Sequence, residues 1–295
     1  IQKDPDSVRV NVAFCFPDTY EIGMSNVGMR ILYGVMNEME GVWCQRVFHP
    51  WGDMEEAMRK HKLPLWALES QKPVKDFDMI AFTIGYEMAY TSIVNMLGLA
   101  GVPLYARDRT GLGQMVFAGG VCTFNPEPLA PFFDFFSLGE GEESTVEIVS
   151  LYDKAKAEGW SREQFLVEVS KIEGVYVPGF YEHIYNEDGT LKSLTPVDDT
   201  VPAVINKRIQ VNMDEAYCPT HPPVPYTQVV FDRIMLEIMR GCTRGCRFCQ
   251  AGMLYRPVRE RSMDRLLELA DALQKSTGYE EMSLSSLSSG DFTCL

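Results

Sequence analysis

The sequence predicts an α/β fold in two parts: a flavodoxin-like, mostly parallel-sheet domain over residues 1–158, and the start of a second α/β unit over residues 228–295. Three observations carry this. Apolar runs of strand character alternate with segments of helical periodicity through the first part, as expected of a parallel sheet covered on both faces. The periodicity weakens over residues 159–227, which read as a linker region with a hairpin. A strand-like run resumes at Val229 and leads straight into three cysteines within eight residues.

In the first part, Val8, Val10, Val12 and Phe14 alternate with Arg9, Asn11 and Ala13, the period of a strand. Asp18-Thr19-Tyr20-Glu21-Ile22-Gly23 follows, and then Gly28, Leu32, Val35, Met36 and Met39 fall on one helical face. The unit repeats: Phe77 to Thr83 is a strand followed by Tyr90, Ile93, Val94 and Leu97 at helical spacing. Met115 to Ala118 ends in Gly119-Gly120, and Phe135 to Leu138 ends in a glycine- and glutamate-rich turn before a helix carrying Ile148, Leu151, Tyr152 and Ala155. Glycines thus gather at strand ends, where a backbone turns tightly or approaches a ligand. In open parallel sheets the ligand crevice lies beyond those ends, at the switch point of the strand order. Neither G-x-x-x-x-G-K-[ST] nor G-x-G-x-x-G occurs, which argues against a phosphate-cradling loop.

In the middle, Ser161 to Ile172 reads as a short helix. Tyr181 to Tyr185 and Leu191 to Leu194 flank Asn186-Glu187-Asp188-Gly189, a hairpin turn. The prolines between Cys218 and Pro225 extend the chain as a crossover. His49, His61, His183 and His221 are isolated and read as surface or hydrogen-bonded residues rather than ligands.

The second part opens with Val229 to Ile238, a buried strand that places Cys242, Cys246 and Cys249 in the loop beyond its carboxyl end. Three thiolates at C-x3-C-x2-C spacing require a metal to neutralise them, and soft sulfur selects iron-sulfur clusters or zinc. Structural zinc needs four ligands, and the fourth here would be Cys218, His221 or Cys294. Ferredoxin spacings supply four cysteines per cluster, whereas three on a 4Fe-4S cluster leave one iron without a protein ligand. Ser262 is a natural N-cap for a helix bearing Met263, Leu266, Leu267, Ala270 and Leu273. Glu281 to Ser289 reads as the next strand, ending in Gly290-Asp291. Arg256, Arg259 and Arg261 form either a grip for a carboxylate or phosphate or a solvated face.

The formal net charge of -14 argues against a protein that coats nucleic acid, yet Phe231 to Arg265 holds eight Arg against four Asp or Glu. No apolar run approaches the roughly 18 residues of a membrane span, and the Asp- and Glu-containing N-terminus is not a signal peptide. Crowded and scattered cysteines, rather than a paired framework, suit a reducing, cytoplasmic setting. A start at Ile1 and an end at Leu295, just past a strand-like run, lead us to expect that both ends are cut and that part of the active site lies elsewhere.

On these residues the second part resembles the radical S-adenosylmethionine (radical SAM) superfamily, whose signature C-x3-C-x-aromatic-C follows the first strand of a (β/α) barrel. Cys242, Cys246 and Cys249 match it as metal-binding, catalytic cysteines, and Phe248 matches the aromatic that packs beside the adenine. Ser289, Gly290 and Asp291 stand where the family's G-G-E-like motif holds the methionine amino group, with an acid suited to an ammonium. Residues 228–295 are then the truncated start of the barrel. The first part resembles a cobalamin-binding domain: Asp18, Tyr20 and Gly23 align with its D-x-H-x-x-G motif, and Gly119 and Gly120 with a glycine pair lining the corrin tail. Tyr20 replaces the cobalt-ligating histidine, so either cobalamin binds without a protein ligand or the cofactor has been lost. An empty scaffold whose glycines serve geometry alone is the alternative. Together with Tyr255 to Ser262 and Ser285 to Asp291, these motifs resemble a bacterial family of fused radical SAM proteins.

The resemblance implies reductive cleavage of S-adenosylmethionine at a 4Fe-4S cluster, giving a 5'-deoxyadenosyl radical that abstracts hydrogen from an unknown substrate, with cobalamin as a further cofactor in some members. The cofactors carry that chemistry while the protein orients them. It also implies an electron donor such as flavodoxin or ferredoxin, and no membrane. An incomplete barrel would be inactive by itself. Two other readings stay open: an RNA-modifying, methylthiotransferase-like enzyme, suggested by the arginine-rich loop but opposed by the global charge, and a non-catalytic module that senses iron-sulfur or corrinoid.

Overall fold

The computed structural model describes residues 1–294; Leu295 lies outside the described residues. The chain divides into two compact units, one of Ile1–Thr19 and Met36–Arg208, the other of Tyr20–Val35 and Ile209 onward. The division differs from the expected boundaries, because the stretch between the first two strands, α1 (Tyr20–Gly23) and the start of α2 (Val27–Glu38), groups with the C-terminal residues. The physical reason is local packing: Tyr217 sits against Gly34, where an added Cβ would lie 2.5 Å from its hydroxyl.

The first unit is built on β1 (Val10–Phe16), β2 (Val42–Phe48), β3 (Met79–Thr83), β4 (Met115–Gly119), β5 (Phe135–Ser137) and β6 (Val175–Tyr176). They form one sheet in the order β2-β1-β3-β4-β5-β6, parallel except for β6. Val12 in β1 pairs with Cys44 on one side and Met79 on the other. The connection therefore reverses between β1 and β3. Four helices belong to this unit: α3 (Gly52–His61), α4 (Tyr90–Ala100), α5 (Gly141–Glu158) and α6 (Arg162–Val169). Ile80 and Phe82 share a buried cluster with Ile93, Met96 and Leu97 of α4. Phe135 stacks on Phe117 and meets Phe165 of α6, which in turn stands edge-on to Tyr152 of α5. Apolar side chains on both sides of the strands explain why β3 and β4 read as continuous rather than alternating runs.

Strand β2 escapes the period-2 reading because Gln45 and Arg46 interrupt its apolar run. Both have partners inside: Gln45 accepts a hydrogen bond from the Ser70 N–H at 3.1 Å, and Arg46 pairs with Glu69 at 2.7 Å. Helix α3 is passed over for a different reason, since Met58 is its buried residue and it has little apolar stripe to detect. The expected hairpin forms as β7 (Tyr181–Tyr185) and β8 (Leu191–Pro196), with Gly189 at φ 82° in the turn. Its His183 meets Glu127 at 2.9 Å, and Glu127 also accepts from the Tyr176 hydroxyl at 2.6 Å. Arg109 and Arg162 share the buried carboxylate of Asp134, which also accepts the Val116 N–H at 2.7 Å.

In the second unit, β9 (Ile234–Glu237) pairs in parallel with β12 (Met282–Ser285), Ile234 opposite Met282 and Glu237 opposite Ser285. The two-residue strands β10 (Met239–Arg240) and β11 (Arg259–Glu260) pair antiparallel, flanking the short α7 (Ala251–Leu254). Helix α8 (Met263–Thr277) begins at Ser262, whose hydroxyl accepts the Arg265 N–H at 3.3 Å. Its Leu266, Leu269 and Leu273 pack on Ile234, Leu236 and Ile238. This gives a strand, a crossover with a helix, and a parallel strand, the repeating unit of α/β sheets. Among the described residues no helix is long and apolar enough to cross a membrane.

Candidate functional site

The cysteine stretch follows the carboxyl end of β9. Two clips fix its approach. Glu237 is held by Arg240 through Nε and Nη2, each 2.9 Å from a carboxylate oxygen. Arg261, buried, donates to the Glu237 carbonyl at 3.1 Å, to the Ala216 carbonyl at 3.1 Å and to the Met213 carbonyl. Burial pulls its guanidinium below the ordinary arginine value, with Glu237 opposing. Arg259 donates to the Gln210 carbonyl at 2.7 Å, and Arg256 to the Gly252 carbonyl at 3.0 Å. These three arginines therefore bind main-chain carbonyls, and Arg261 is not part of a solvated face.

Gly241, immediately before Cys242, has φ 87°, and a Cβ there would stand 2.6 Å from the Pro257 carbonyl and 2.8 Å from that of Tyr255. Only glycine fits a left-handed position so closely backed by another backbone. Beyond it the thiols emerge in an open loop. Cys242 Sγ accepts the Arg244 N–H at 3.5 Å, and Cys249 Sγ accepts the Gly252 N–H at 3.4 Å. A turn joins the Cys249 N–H to the Cys246 carbonyl at 3.1 Å, and Cys246 is exposed. Among the described residues no three His, Cys, Asp or Glu side chains stand in metal-binding arrangement. The donor set suits an iron-sulfur cluster: three thiols on one accessible loop, two of them with sulfurs that accept main-chain N–H bonds. Phe248 is 92% exposed.

At the end of β12 the chain turns through Ser289–Asp291. Asp291 is held by the cysteine loop itself: Arg244 Nε donates to Oδ2 at 2.7 Å, and Arg244 Nη2 contacts Oδ1. Ser288 adds a hydroxyl at 2.7 Å. Arg244 first, and Ser288 second, hold the Asp291 carboxyl below the usual carboxylate range. Ser289 shares a 2.8 Å hydrogen bond with Ser286, and a Cβ at Gly290 would meet open space. Cys218 is apart from the loop thiols. It lines a cleft of about 510 Å³, partly open to solvent, with Arg30, Arg233, Glu237 and Tyr279, and burial pushes its thiol up.

At the carboxyl ends of β1 and β3 in the first unit, Asp18 accepts the Thr19 N–H at 2.7 Å and is hydrogen-bonded by the Tyr86 hydroxyl. That bond pushes the Tyr86 phenol up to about 12. It spans the two strands between which the connection reverses. Gly120, at φ 103°, is backed by Ile84, whose carbonyl would lie 2.7 Å from a Cβ, while a Cβ at Gly119 would make ordinary contact with Ser137. Tyr20 and Gly23 belong to the second unit, where the Tyr20 hydroxyl accepts the Tyr226 N–H at 3.4 Å and the two rings lie 4.7 Å apart. Nothing in the sequence pattern signals Tyr86. Arg244 was legible only as one more charge between two cysteines.

Two family models match separate stretches of the chain. The family model described as "Radical SAM proteins, N-terminal" matches residues 28–178, and that described as "Radical SAM superfamily" matches residues 236–294. The uncharacterized protein MJ0966 of Methanocaldococcus jannaschii is 26% identical over 285 residues, covering 96% of this chain and 50% of its own length. A structure of the radical S-adenosylmethionine methyltransferase TsrM from Kitasatospora setae, with cobalamin and a [4Fe-4S] cluster bound, has TM-score 0.52 at 12% identity, over 95% of this chain and 48% of its own. The chain spans about half the length of the relatives it matches.

Proposed function

Because this chain belongs to the radical SAM proteins, we propose that it is an enzyme whose Cys242, Cys246 and Cys249 hold a 4Fe-4S cluster and that it acts on S-adenosylmethionine. The observation that carries this reading is the three-thiol loop at the carboxyl end of β9, with the acid of the turn beyond β12 reached from within that loop. Bound together, cluster and S-adenosylmethionine supply reductive cleavage of a sulfonium-carbon bond. The chain's own part is orientation. Gly241 lets the loop turn away from β9, Arg261 anchors the strand end beneath it, and Asp291 offers a carboxylate for the ammonium of S-adenosylmethionine, with Ser289 and Gly290 beside it. Phe248 is the loop's aromatic surface for the adenine.

The same proposal includes cobalamin in the first unit, read as a flavodoxin-like scaffold, near Asp18 and the Gly119-Gly120 end of β4. Support comes from the TsrM structure, which shares the fold and holds that cofactor. The Tyr20 hydroxyl already accepts a main-chain N–H, so the residues present suit a corrinoid held without a cobalt ligand from that position, where Tyr20 and Gly23 are no part of its grip. The second unit is the beginning of a (β/α) barrel in this reading. The setting is cytoplasmic, with a flavodoxin or ferredoxin as electron source, and the substrate is a molecule other than S-adenosylmethionine. The test is anaerobic incubation of the reconstituted protein with dithionite and S-adenosylmethionine. Formation of 5'-deoxyadenosine or of a methylated corrinoid supports the reading; intact S-adenosylmethionine beside a fully assembled cluster contradicts it.

A further inference from the structure

The acid at the end of β12 is already engaged. Asp291 lies 47 residues from Arg244 in sequence, and the arginine belongs to the loop between Cys242 and Cys246. Its backbone N–H is bound to the Cys242 sulfur while its guanidinium takes both oxygens of Asp291. One residue therefore couples the first thiol to the turn beyond β12 that carries the acid. A guanidinium and an alkylammonium compete for the same carboxylate, and both cannot occupy it with full hydrogen bonding, because Ser288 already uses part of its lone-pair capacity.

On the reading given above, we propose that Arg244 is a positioning residue that exchanges places with the ammonium of S-adenosylmethionine at Asp291. Without S-adenosylmethionine, Arg244 tethers the cysteine loop to the end of β12 and keeps the Asp291 carboxylate oriented. When the ammonium takes Asp291, the guanidinium swings out and the loop is released from β12. Arg244 is well placed for such an exchange because its side chain is largely exposed and, among the described residues, hydrogen-bonds no side chain but Asp291. An exposed ion pair is easily traded, since solvent and salt screen what is lost.

Two measurements test this. Hydrogen exchange on the cluster-free protein reads the tether alone: Arg244→Gln is expected to speed exchange in residues 242–250 and 286–292, and Arg244→Lys to restore part of the protection. Unchanged exchange overturns the tether whether or not a cluster ever assembles. Equilibrium binding to the cluster-loaded protein reads the exchange. Arg244→Gln is expected to tighten S-adenosylmethionine about two- to fivefold, the worth of an exposed pair, while leaving 5'-methylthioadenosine, which lacks the amino acid, unchanged. Weaker S-adenosylmethionine binding would make Arg244 a direct ligand and overturn the exchange; an equal change for both compounds would do so as well. Failure of the wild-type protein to assemble a cluster overturns the parent reading and is seen separately, in the cluster spectrum.

Discussion

The guanidinium of Arg261 donates to the main-chain carbonyl of Glu237 at 3.1 Å, joining the residue just before the α8 cap to the strand end that launches the cysteine loop. The same side chain also serves the carbonyls of Met213 and Ala216. Removing it strands three main-chain acceptors at once, two of them in buried contacts. Arg261→Met is expected to cost about 3 kcal/mol in chemical denaturation of the second unit, and Arg261→Lys to recover little, because an ammonium cannot reproduce the planar fork. A loss under about 0.5 kcal/mol, the size of an ordinary surface change, would show that the clip carries nothing.

Asp134 is the equivalent anchor in the first unit, buried between Arg109 and Arg162. Asp134→Asn keeps the shape and one acceptor but leaves two guanidiniums facing a neutral group. The expected cost is about 3 kcal/mol, read as a lower denaturation midpoint of the first unit. Replacing all three by apolar residues of similar size is expected to recover most of that loss.

Gly241→Ala forces a Cβ against the carbonyls of Pro257 and Tyr255 in a backbone region that only glycine visits readily. The variant is expected to keep the first unit's stability and to assemble far less iron than wild type. Gly98→Ala is the contrasting substitution, since a Cβ there meets nothing within 4 Å in α4. It is expected to raise stability by about 0.5 kcal/mol.

Tyr86 and Asp18 give a pH signature. The hydrogen bond to Asp18 raises the Tyr86 phenol to about 12, above its ordinary value of 10. A raised acid favours the fold in its protonated form, so this contribution is fully present below pH 10 and is lost as the pH climbs toward 12. Tyr90, Tyr152, Tyr176, Tyr181 and Tyr279 are raised as well, so ultraviolet titration of tyrosinate is expected to lose one group from its late-titrating set in Tyr86→Phe, and the stability difference between the two proteins is expected to vanish above that range. Titration of Tyr86 with the ordinary surface tyrosines would contradict the bond.

Much of the fold was legible because its signal is local. The alternation around Val10 and Val12, the N-cap at Ser262 and the turn at Gly189 are each settled by a handful of neighbouring residues. Strand β2 was not, because this edge strand can keep Gln45 and Arg46 inside once Ser70 and Glu69 arrive from elsewhere to meet them. The grouping of Tyr20 to Val35 with the C-terminal residues is likewise set by contacts such as Gly34 with Tyr217, which no periodicity records. At the site, sequence spacing pointed to the three thiols and the family resemblance to the acid, but the links between them did not show. Arg244 meets Asp291 only after the crossover through α8, and Arg261 meets its three carbonyls only once segments 24 to 48 residues apart have come together.

The most direct test of the account is iron and acid-labile sulfide analysis with electron paramagnetic resonance after anaerobic reconstitution, before and after adding S-adenosylmethionine. The account predicts about four iron and four sulfide per chain, a reduced-cluster signal that shifts when S-adenosylmethionine binds, and loss of both in Cys246→Ala. Stoichiometric zinc with no iron, or a cluster signal that S-adenosylmethionine leaves unchanged, would contradict it.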